Sequence, residues 1–218
     1  MHEETRERQV GATVSIPQGD ATGPEPVDRA VGQRLRGLRR ARGLSLEAIA
    51  SSTGLSIGFI SQVERGLSSP SLRVLALLAD TLQIGIGGLF EPSPHEPDPD
   101  PIVVFRKDRP ELQLWRAGIT KQLLTPPGGT HGMSLFHMVL RPGASTGDEP
   151  FSHEGEEAGL VLEGRLTLVV EARTLQLAEG DSFRFESRRP HRFSNPDPHG
   201  QTIVLWVNVL GPMPAGSP

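Results

Sequence analysis

The spacing of apolar residues divides the chain into two regions. Up to about residue 90, apolar positions recur every three or four residues, and Val31, Leu35 and Leu38 fall on one face of a helix. From about residue 102 onward, apolar and polar residues alternate in short runs separated by Gly and Pro, as in strands joined by turns. The pattern therefore predicts an all-α region followed by an all-β region.

Five short helices are predicted in the first region. After the helix that carries Val31, Ser45 is a predicted N-cap of the second helix and Ser56 of the third. Ser69 is the predicted N-cap of the fourth helix, with Pro70 at the first helical position, where proline is tolerated. The fifth is the short segment "IGGLF", which closes the domain against its own core.

The second region contains four apolar runs with strand character, punctuated by Pro142-Gly143, Gly164, Gly180-Asp181 and Pro196. These runs read "GMSLFHMVLRPG", "GLVLEGRLTLVV", "LQLAEGDSFRF" and "TIVLWVNVL". Short strands with turn residues at close intervals predict an antiparallel sandwich or a small barrel.

A proline-rich segment separates the two regions. "EPSPHEPDPDP", Glu91 to Pro101, has five prolines at nearly alternate positions, which favours extended polyproline II, a semi-stiff spacer of roughly 30 Å. We therefore expect two domains with a linker between them and a flexible tail at each end. The predicted bounds are 1–27 for the first tail, 28–90 for the helical domain, 91–101 for the linker, 102–212 for the β domain and 213–218 for the second tail.

Composition narrows the chemistry. The chain has no cysteine, which excludes disulfides, thiolate metal sites and cysteine nucleophiles and fits a reducing cytoplasm. A metal would have to be held by His, Asp, Glu or water. No window of about 18–20 uncharged apolar residues is present, so we expect no membrane span, and the charged first ten residues do not predict a secretory signal.

Charge is divided unevenly along the chain. Residues 29–90 contain eight arginines against three acidic residues, although the whole chain has a net charge of −4. A basic domain within an acidic chain indicates a polyanionic partner for that domain. Charge alone does not distinguish this interpretation from a solvated arginine-rich helix.

The stretch "LSLEAIASSTGLSIGFISQVERG" has the spacing of a helix-turn-helix. Ala50 is a small residue where two helices cross, and Gly54 lies where the turn needs a positive φ. Ile60 and Val63 face inward, which leaves the other side of the second helix free for base edges in a major groove.

This stretch and "SSPSLRVLALLADTL" resemble the Cro/CI-type (XRE) repressor family over about Val31 to Phe90. The resemblance implies a homodimer on a double-stranded operator with paired half-sites. Carried over by position, the base-reading candidates are Ser56, Ile57, Ser61 and Gln62. The phosphate candidates are Ser45, Arg34, Arg36, Arg39 and Arg40. We expect Glu64 to be a salt-bridge partner rather than a base reader.

Two later segments are similar to the signature motifs of the cupin family, over about Ile102 to Leu210. "FSHEGEEAGLVLEG" places Phe151, His153 and Glu157 at the family's His, His and Glu positions. "EGDSFRFESRRPHRFSN" ends with His191 and Asn195 at the His-x3-Asn positions, although Glu186 and Arg188 replace a Pro and a Gly. The implied fold is a double-stranded β-helix barrel.

The cupin resemblance implies a three-ligand metal site of His153, Glu157 and His191, with Phe151 in place of the fourth ligand. Two histidines and one carboxylate can form a facial triad for iron, and zinc, manganese or nickel are further candidates. Alternatively, His191 hydrogen-bonds the carboxylate and His153 satisfies turn backbone. The candidate ligand-pocket residues are Phe151, His137, Trp206 and Asn195.

Two functions from different classes fit these motifs. Repressor-type domains fused to a cupin form a large group of bacterial regulators, in which the cupin senses a small-molecule effector and dimerises. A smaller group, the hydroxypropylphosphonate epoxidase type, is an iron-dependent oxygenase of the same architecture. The basic first helix and the free Ser/Gln face favour the regulator, which is a non-enzyme, because a vestigial domain need not keep them. A purely structural or storage role leaves that face unexplained.

Overall fold

The structure, a computed structural model, describes residues 26–90, 102–114, 117–126 and 132–210. The predicted linker, most of the first predicted tail and all of the second lie outside these residues. Among the described residues the helical domain has four α-helices, which are α1 (Pro26–Ala41), α2 (Leu46–Thr53), α3 (Ile57–Glu64) and α4 (Leu72–Thr81). The fifth predicted helix is a single 3-10 turn, Ile86–Leu89. No helix in this part of the chain is long and apolar enough to cross a membrane.

Serine hydroxyl groups define the starts of three helices. The Oγ of Ser45 accepts a hydrogen bond from the N–H of Ala48 (3.1 Å), and the Oγ of Ser56 accepts from Phe59 (3.2 Å), which confirms both predicted N-caps. The predicted start of the fourth helix at Ser69 and Pro70 was wrong.

Helix α4 begins two residues later than predicted, with Ser71 as its N-cap. The backbone of Ser71 is extended, with ψ 162° compared with 166° at Ser45. Its hydroxyl oxygen accepts a hydrogen bond from the N–H of Val74 at 3.3 Å. Ser71 directly precedes the buried positions Leu72 and Leu75, so the serine nearest the apolar face caps the helix.

The helix-turn-helix forms as its spacing predicts. Gly54 ends α2 in the left-handed conformation (φ 72°), and its N–H donates to the carbonyl of Ala50. Ile49, Ile60 and Val63 are each at most 2% exposed and form the contact between the helices. The outward side of α3 is thereby separated from the core.

The second domain consists of nine antiparallel strands in two sheets among the described residues. A six-stranded sheet has the order β1-β2-β3-β9-β4-β7 and a three-stranded sheet the order β6-β5-β8, which confirms the predicted antiparallel cupin architecture. The strands are β1 (Glu111–Leu114), β2 (Ile119–Leu123), β3 (Met133–Leu140), β4 (Glu156–Glu163), β5 (Arg165–Val170), β6 (Arg173–Ala178), β7 (Ser182–Glu186), β8 (His191–Ser194) and β9 (Thr202–Val209).

The barrel interior is filled by alternate residues of both sheets. Phe136 and Trp206 of the large sheet and Leu166 of the small sheet are at most 1% exposed. The rings of Trp206 and Phe193, which come from opposite sheets, have centroids 4.6 Å apart. Burial of these side chains is the main stabilising contribution of the β domain.

The helical domain packs against the end of the barrel where β3 begins and β9 ends. The ring of Phe90 lies 5.6 Å from that of Phe136. A Cβ on Gly87 would lie 2.1 Å from the Oγ of Ser134. Only glycine at position 87 therefore allows the 3-10 turn to approach β3 this closely. The Arg73 guanidinium on α4 also donates to the carboxylate of Glu149.

Candidate effector site and DNA-facing helix

Three metal-ligating side chains meet inside the barrel. His153 lies just before β4, Glu157 on β4, and His191 at the start of β8. The Nε2 of His153 is 2.7 Å from the Oε1 of Glu157, and the Nε2 of His191 is 3.8 Å from Oε2. One ligand atom from each of the three lies within 4.8 Å of the others. The structure therefore brings together the three predicted ligands.

Backbone carbonyl groups orient both imidazole rings. The Nδ1–H of His153 donates to the carbonyl of Glu154 (3.0 Å), and that of His191 donates to the carbonyl of Arg189 (2.8 Å). Both Nε2 atoms therefore point toward Glu157, which is the arrangement that metal-binding histidines use.

Two further side chains fix the carboxylate of Glu157. The indole N–H of Trp206 donates to Oε2 (3.1 Å), and the amide of Asn208 donates to Oε1 (2.8 Å). Glu157 is 4% exposed, so these donors replace water around a buried charge. Neither bond was predicted, although Trp206 and Asn208 alternate along β9 and so share the inward face with Glu157.

Glu157 and His153 shift each other's ionisation. Burial alone would raise the pKa of Glu157, but the hydrogen bond from His153 and the nearby positive charges hold it below its usual value. Burial also lowers the pKa of His153, but Glu157 outweighs it and the pKa is raised. For His191, burial outweighs the attraction of Glu157 and the pKa is lowered. Glu157 thus favours the protonated form of His153, while burial favours the neutral form of His191.

The donor set fits a divalent metal ion. The Nε2 of His191 is buried and has no hydrogen-bond partner among the described residues, which leaves its lone pair for a metal. Phe151 occupies the position of the family's first histidine and packs against His191 with ring centroids 4.4 Å apart. The cluster therefore offers three candidate metal ligands, with an apolar wall on one side.

The four predicted pocket residues divide into two pairs. Phe151 and Trp206 contact the cluster, as described above. His137 alternates with Phe136 and Met138, which are fully buried, so it lies on the outer face of the large sheet. Asn195 is engaged in turn packing, since its amide donates to the carbonyls of Leu140, Arg141 and Gly200 and its oxygen accepts from Asp197. The structure does not bring His137 or Asn195 to the cluster.

Lys121 is a site residue that the sequence reasoning missed. It is 2% exposed on β2, between the buried Ile119 and Leu123, and its charge affects the pKa of all three cluster residues. In "ITKQL", the lysine occupies the same alternate positions as Ile119 and Leu123, which indicates that it shares their inward face. This strand was not predicted, so the pattern was not used.

A cleft joins the cluster to the helical domain. Its lining includes His153, Glu154 and Asn208 of the barrel and Ala76, Ala79 and Asp80 of α4. The Oδ1 of Asp80 accepts a hydrogen bond from the N–H of Glu154 at 3.4 Å, one residue from His153. Helix α4 thus borders the His153 side of the cluster.

The outward side of α3 is open to solvent. Ile57 is 44% exposed, Ser56 and Gln62 are exposed, and Ser61 is half-buried. The predicted base-reading residues therefore share one accessible surface. Ser45 is exposed at the start of α2.

The predicted phosphate-binding arginines differ in their exposure and in their contacts within the protein. Arg36 and Arg40 are exposed. The Nε of Arg34 donates to the carbonyl of Gly88 (3.1 Å). Arg39 makes a two-point ion pair with Glu64, so it is committed to helix packing and is not free for a phosphate. The same pair confirms Glu64 as a salt-bridge partner.

Comparison with known proteins gives matches in both domains. Residues 30–87 match the helix-turn-helix domain family and residues 136–208 match the cupin domain family. The HTH-type transcriptional regulator PuuR of Escherichia coli is 30% identical over 166 residues, which span 76% of this chain and 88% of that protein.

Two sets of solved structures resemble the fold. An HTH_3 family transcriptional regulator from Vibrio cholerae has a TM-score of 0.66 at 24% identity, covering 86% of this chain and 98% of that one. Hydroxypropylphosphonic acid epoxidase from S. wedmorenis has a TM-score of 0.43 at 21% identity, covering 83% and 97%, which is too low to support an argument about function.

The fold and the motifs define a DNA-binding transcription regulator with a cupin domain. The chain belongs to the family of HTH-type transcriptional regulators that carry a C-terminal cupin.

Proposed function

We propose that this regulator reads its operator with α3 and that a small effector bound at the His153–Glu157–His191 cluster alters its DNA affinity. The observation that carries the proposal is the hydrogen bond from the Glu154 N–H to Asp80. It links the loop that holds a cluster histidine to a helix of the DNA-binding domain. A ligand that moves this loop changes the contact made by α4.

On the DNA side, Ser56, Ile57, Ser61 and Gln62 are the proposed base-reading residues. The amide of Gln62 suits the N6/N7 edge of adenine, and the methyl groups of Ile57 suit a thymine methyl. Ser45, Arg36 and Arg40 are the proposed phosphate ligands, with the outer part of the Arg34 guanidinium. Ser45, Arg36 and Arg40 are exposed, and Arg34 is half-buried.

In the cupin, we propose that His153, Glu157 and His191 hold a divalent metal. When bound, the metal supplies a Lewis-acid anchor for a donor atom of the effector. Trp206 and Asn208 hold the carboxylate in place, and Phe151 excludes water from the side of the missing fourth ligand.

We further propose that the large sheet pairs with a second copy of the chain. Leu160, Leu205 and His137 lie side by side on β4, β9 and β3, and their side chains point away from the barrel. Leu160 is 36% and the neighbouring Leu162 42% exposed, and the Nδ1 of His137 is buried without a partner among the described residues. An apolar outer sheet face of this kind is typical of homodimer interfaces.

The cluster also has the ligand set of mononuclear iron oxygenases, which makes such an enzyme the second candidate function. Oxygen consumption by the iron-loaded protein with a small-molecule substrate, in the absence of sequence-specific DNA binding, would favour it. Specific operator binding with no turnover would favour the regulator.

Operator affinity as a function of site occupancy tests the proposal. The operator is first obtained by selection from random duplexes, and affinity is measured by fluorescence anisotropy for metal-free and zinc-loaded protein. Coupling of the usual size, 1–3 kcal/mol, gives about a 5- to 150-fold change.

Three variants identify the route of this coupling. Asp80→Ala should reduce the effect of zinc on operator affinity without abolishing operator binding. His153→Ala should abolish the effect of zinc. Glu179→Ala, an exposed change away from the cluster, should behave as wild type. If the wild type and Glu179→Ala bind the operator equally well with and without zinc, the metal site is not coupled to DNA binding.

A further inference from the structure

Lys121 is a cation enclosed by the barrel. It is one of only two lysines in the sequence, the other being the exposed Lys107. Its neighbours on the inward face of β2, Ile119 and Leu123, are each 1% exposed. Its ammonium nitrogen lies 5.0 Å from the centre of the Phe136 ring, which stabilises a cation only modestly.

The carboxylate of Glu157 does not neutralise Lys121 by direct contact. Among the described residues, Lys121 makes no ion pair. The carboxylate oxygens of Glu157 instead accept hydrogen bonds from His153, Trp206 and Asn208. Burial lowers the pKa of Lys121 to about 8, against the opposing attraction of Glu157. A buried charge without a paired countercharge is unfavourable, and a divalent metal at the cluster would add further positive charge.

We infer that the effector is a small carboxylic acid and that Lys121 binds its carboxylate inside the barrel. This inference rests on the proposed function, since it assigns the chemical class of the effector at the same site. The carboxylate supplies the missing countercharge and accepts hydrogen bonds from the ammonium group. The side chains of Phe136, Met138 and Trp206 are at most 1% exposed and fill much of the barrel, so the ligand must be small.

The two-lysine composition allows a direct test on the full-length protein. Lysine labelled with ¹³C at Cε gives two side-chain NMR signals, which a Lys107→Arg variant assigns. The probe is sodium acetate at millimolar concentrations, with sodium chloride as the ionic-strength control. Acetamide and ethylamine are the neutral and cationic probes of the same size. Each is titrated into metal-free and zinc-loaded protein.

Acetate should shift the Lys121 signal saturably and leave the Lys107 signal unchanged, while acetamide and ethylamine leave both unchanged. A Lys121 signal that acetate does not move, or that ethylamine moves more, would overturn the inference. The zinc-loaded and metal-free arms show whether the metal strengthens acetate binding.

Acetate binding to Lys121→Met should be weaker by roughly tenfold or more, with Lys107→Met as the matched control. Unchanged acetate affinity in a folded Lys121→Met protein would also overturn the inference. If that variant does not fold, the wild-type titration decides alone. Neither measurement uses DNA, so the failure of this inference is distinguishable from a failure of operator binding to respond to zinc.

Discussion

Arg39 of α1 and Glu64 of α3 form a two-point ion pair, with Nε–Oε1 and Nη2–Oε2 distances of 2.5 and 2.8 Å. Both side chains are largely buried, and Arg39 also donates to the carbonyl of Leu44 (2.8 Å). The hydrogen bonds that Arg39 donates to Glu64 raise the pKa of Arg39, although burial opposes the shift. The pair joins α1 to α3, the proposed base-reading helix.

Arg39→Ala should therefore destabilise the helical domain. The change leaves the Glu64 carboxylate buried without its partner, which costs about 3 kcal/mol in comparable pairs. Chemical denaturation followed by circular dichroism measures the loss.

Arg40→Ala is the matched control, because Arg40 is the next residue and is exposed. It should change the free energy of unfolding by less than about 0.5 kcal/mol. Equal stability of the two variants would show that the ion pair does not hold the helices together.

Gln62→Ala should weaken operator binding by about 1–3 kcal/mol and relax the preference at one base position. The change removes a side-chain amide from an exposed position of α3 and disturbs no packing. Anisotropy titrations with operator and scrambled duplexes measure both effects. Equal losses on the two duplexes would remove Gln62 from the base-reading role.

Arg40→Ala serves as the comparison for Gln62 in DNA binding. As a proposed phosphate ligand, Arg40 should contribute equally to operator and scrambled DNA. Its loss should reduce the slope of log affinity against log salt by about 1. A loss confined to the operator would indicate a base contact instead.

Leu160→Arg should convert the proposed dimer into monomers, because it places a charge on the apolar outer face of the large sheet. Sedimentation velocity of the full-length protein measures the mass. Thr174→Arg, an exposed change on the other sheet, should remain dimeric. A Leu160→Arg protein that sediments as a dimer would place the interface elsewhere.

Local patterns in the sequence predict much of this structure. The helical spacing, the serine caps at Ser45 and Ser56 and the His-x3-Glu motif are local signals, and each forms as predicted. The cluster of His153, Glu157 and His191 follows from the motif spacing once the barrel topology is known.

The contacts that the sequence did not predict are non-local. The salt bridge of Glu64 was predicted, but its partner Arg39 is 25 residues away, and Asp80 and Glu154 are 74 residues apart, so no periodicity identifies these partners. The role of His137 depended on which face of β3 points inward, and a shift of one residue reverses that assignment. Lys121 was missed because its short strand lies beside the turn at Gly118 and shows little alternation.

Metal binding should release a proton from His153 at pH values where that imidazole is protonated. In the metal-free cluster, His153 donates from both ring nitrogens, to the Glu154 carbonyl and to Glu157, and its pKa is raised. A metal must displace the Nε2 proton. Zinc titration calorimetry in buffers of different ionisation enthalpy measures the number released, and a buffer-independent enthalpy would contradict a protonated His153.

Removal of the positive charge at Lys121 should stabilise the metal-free protein in a pH-dependent way. Burial lowers the pKa of Lys121 from 10.5 to about 8, so the unfolded chain binds more protons than the folded chain between these values. The wild type therefore gains stability as pH rises through this window, and below it the folded state bears the full cost of the buried charge.

Lys121→Met avoids that cost, which a shift of this size places on the order of 3 kcal/mol. The stability difference between Lys121→Met and wild type should consequently be largest at pH 7 and shrink toward pH 10. Urea denaturation with chelator present measures it, and Lys107→Met should show no such trend. A difference that stays constant from pH 7 to pH 10 would mean that Lys121 titrates alike in the folded and unfolded chains.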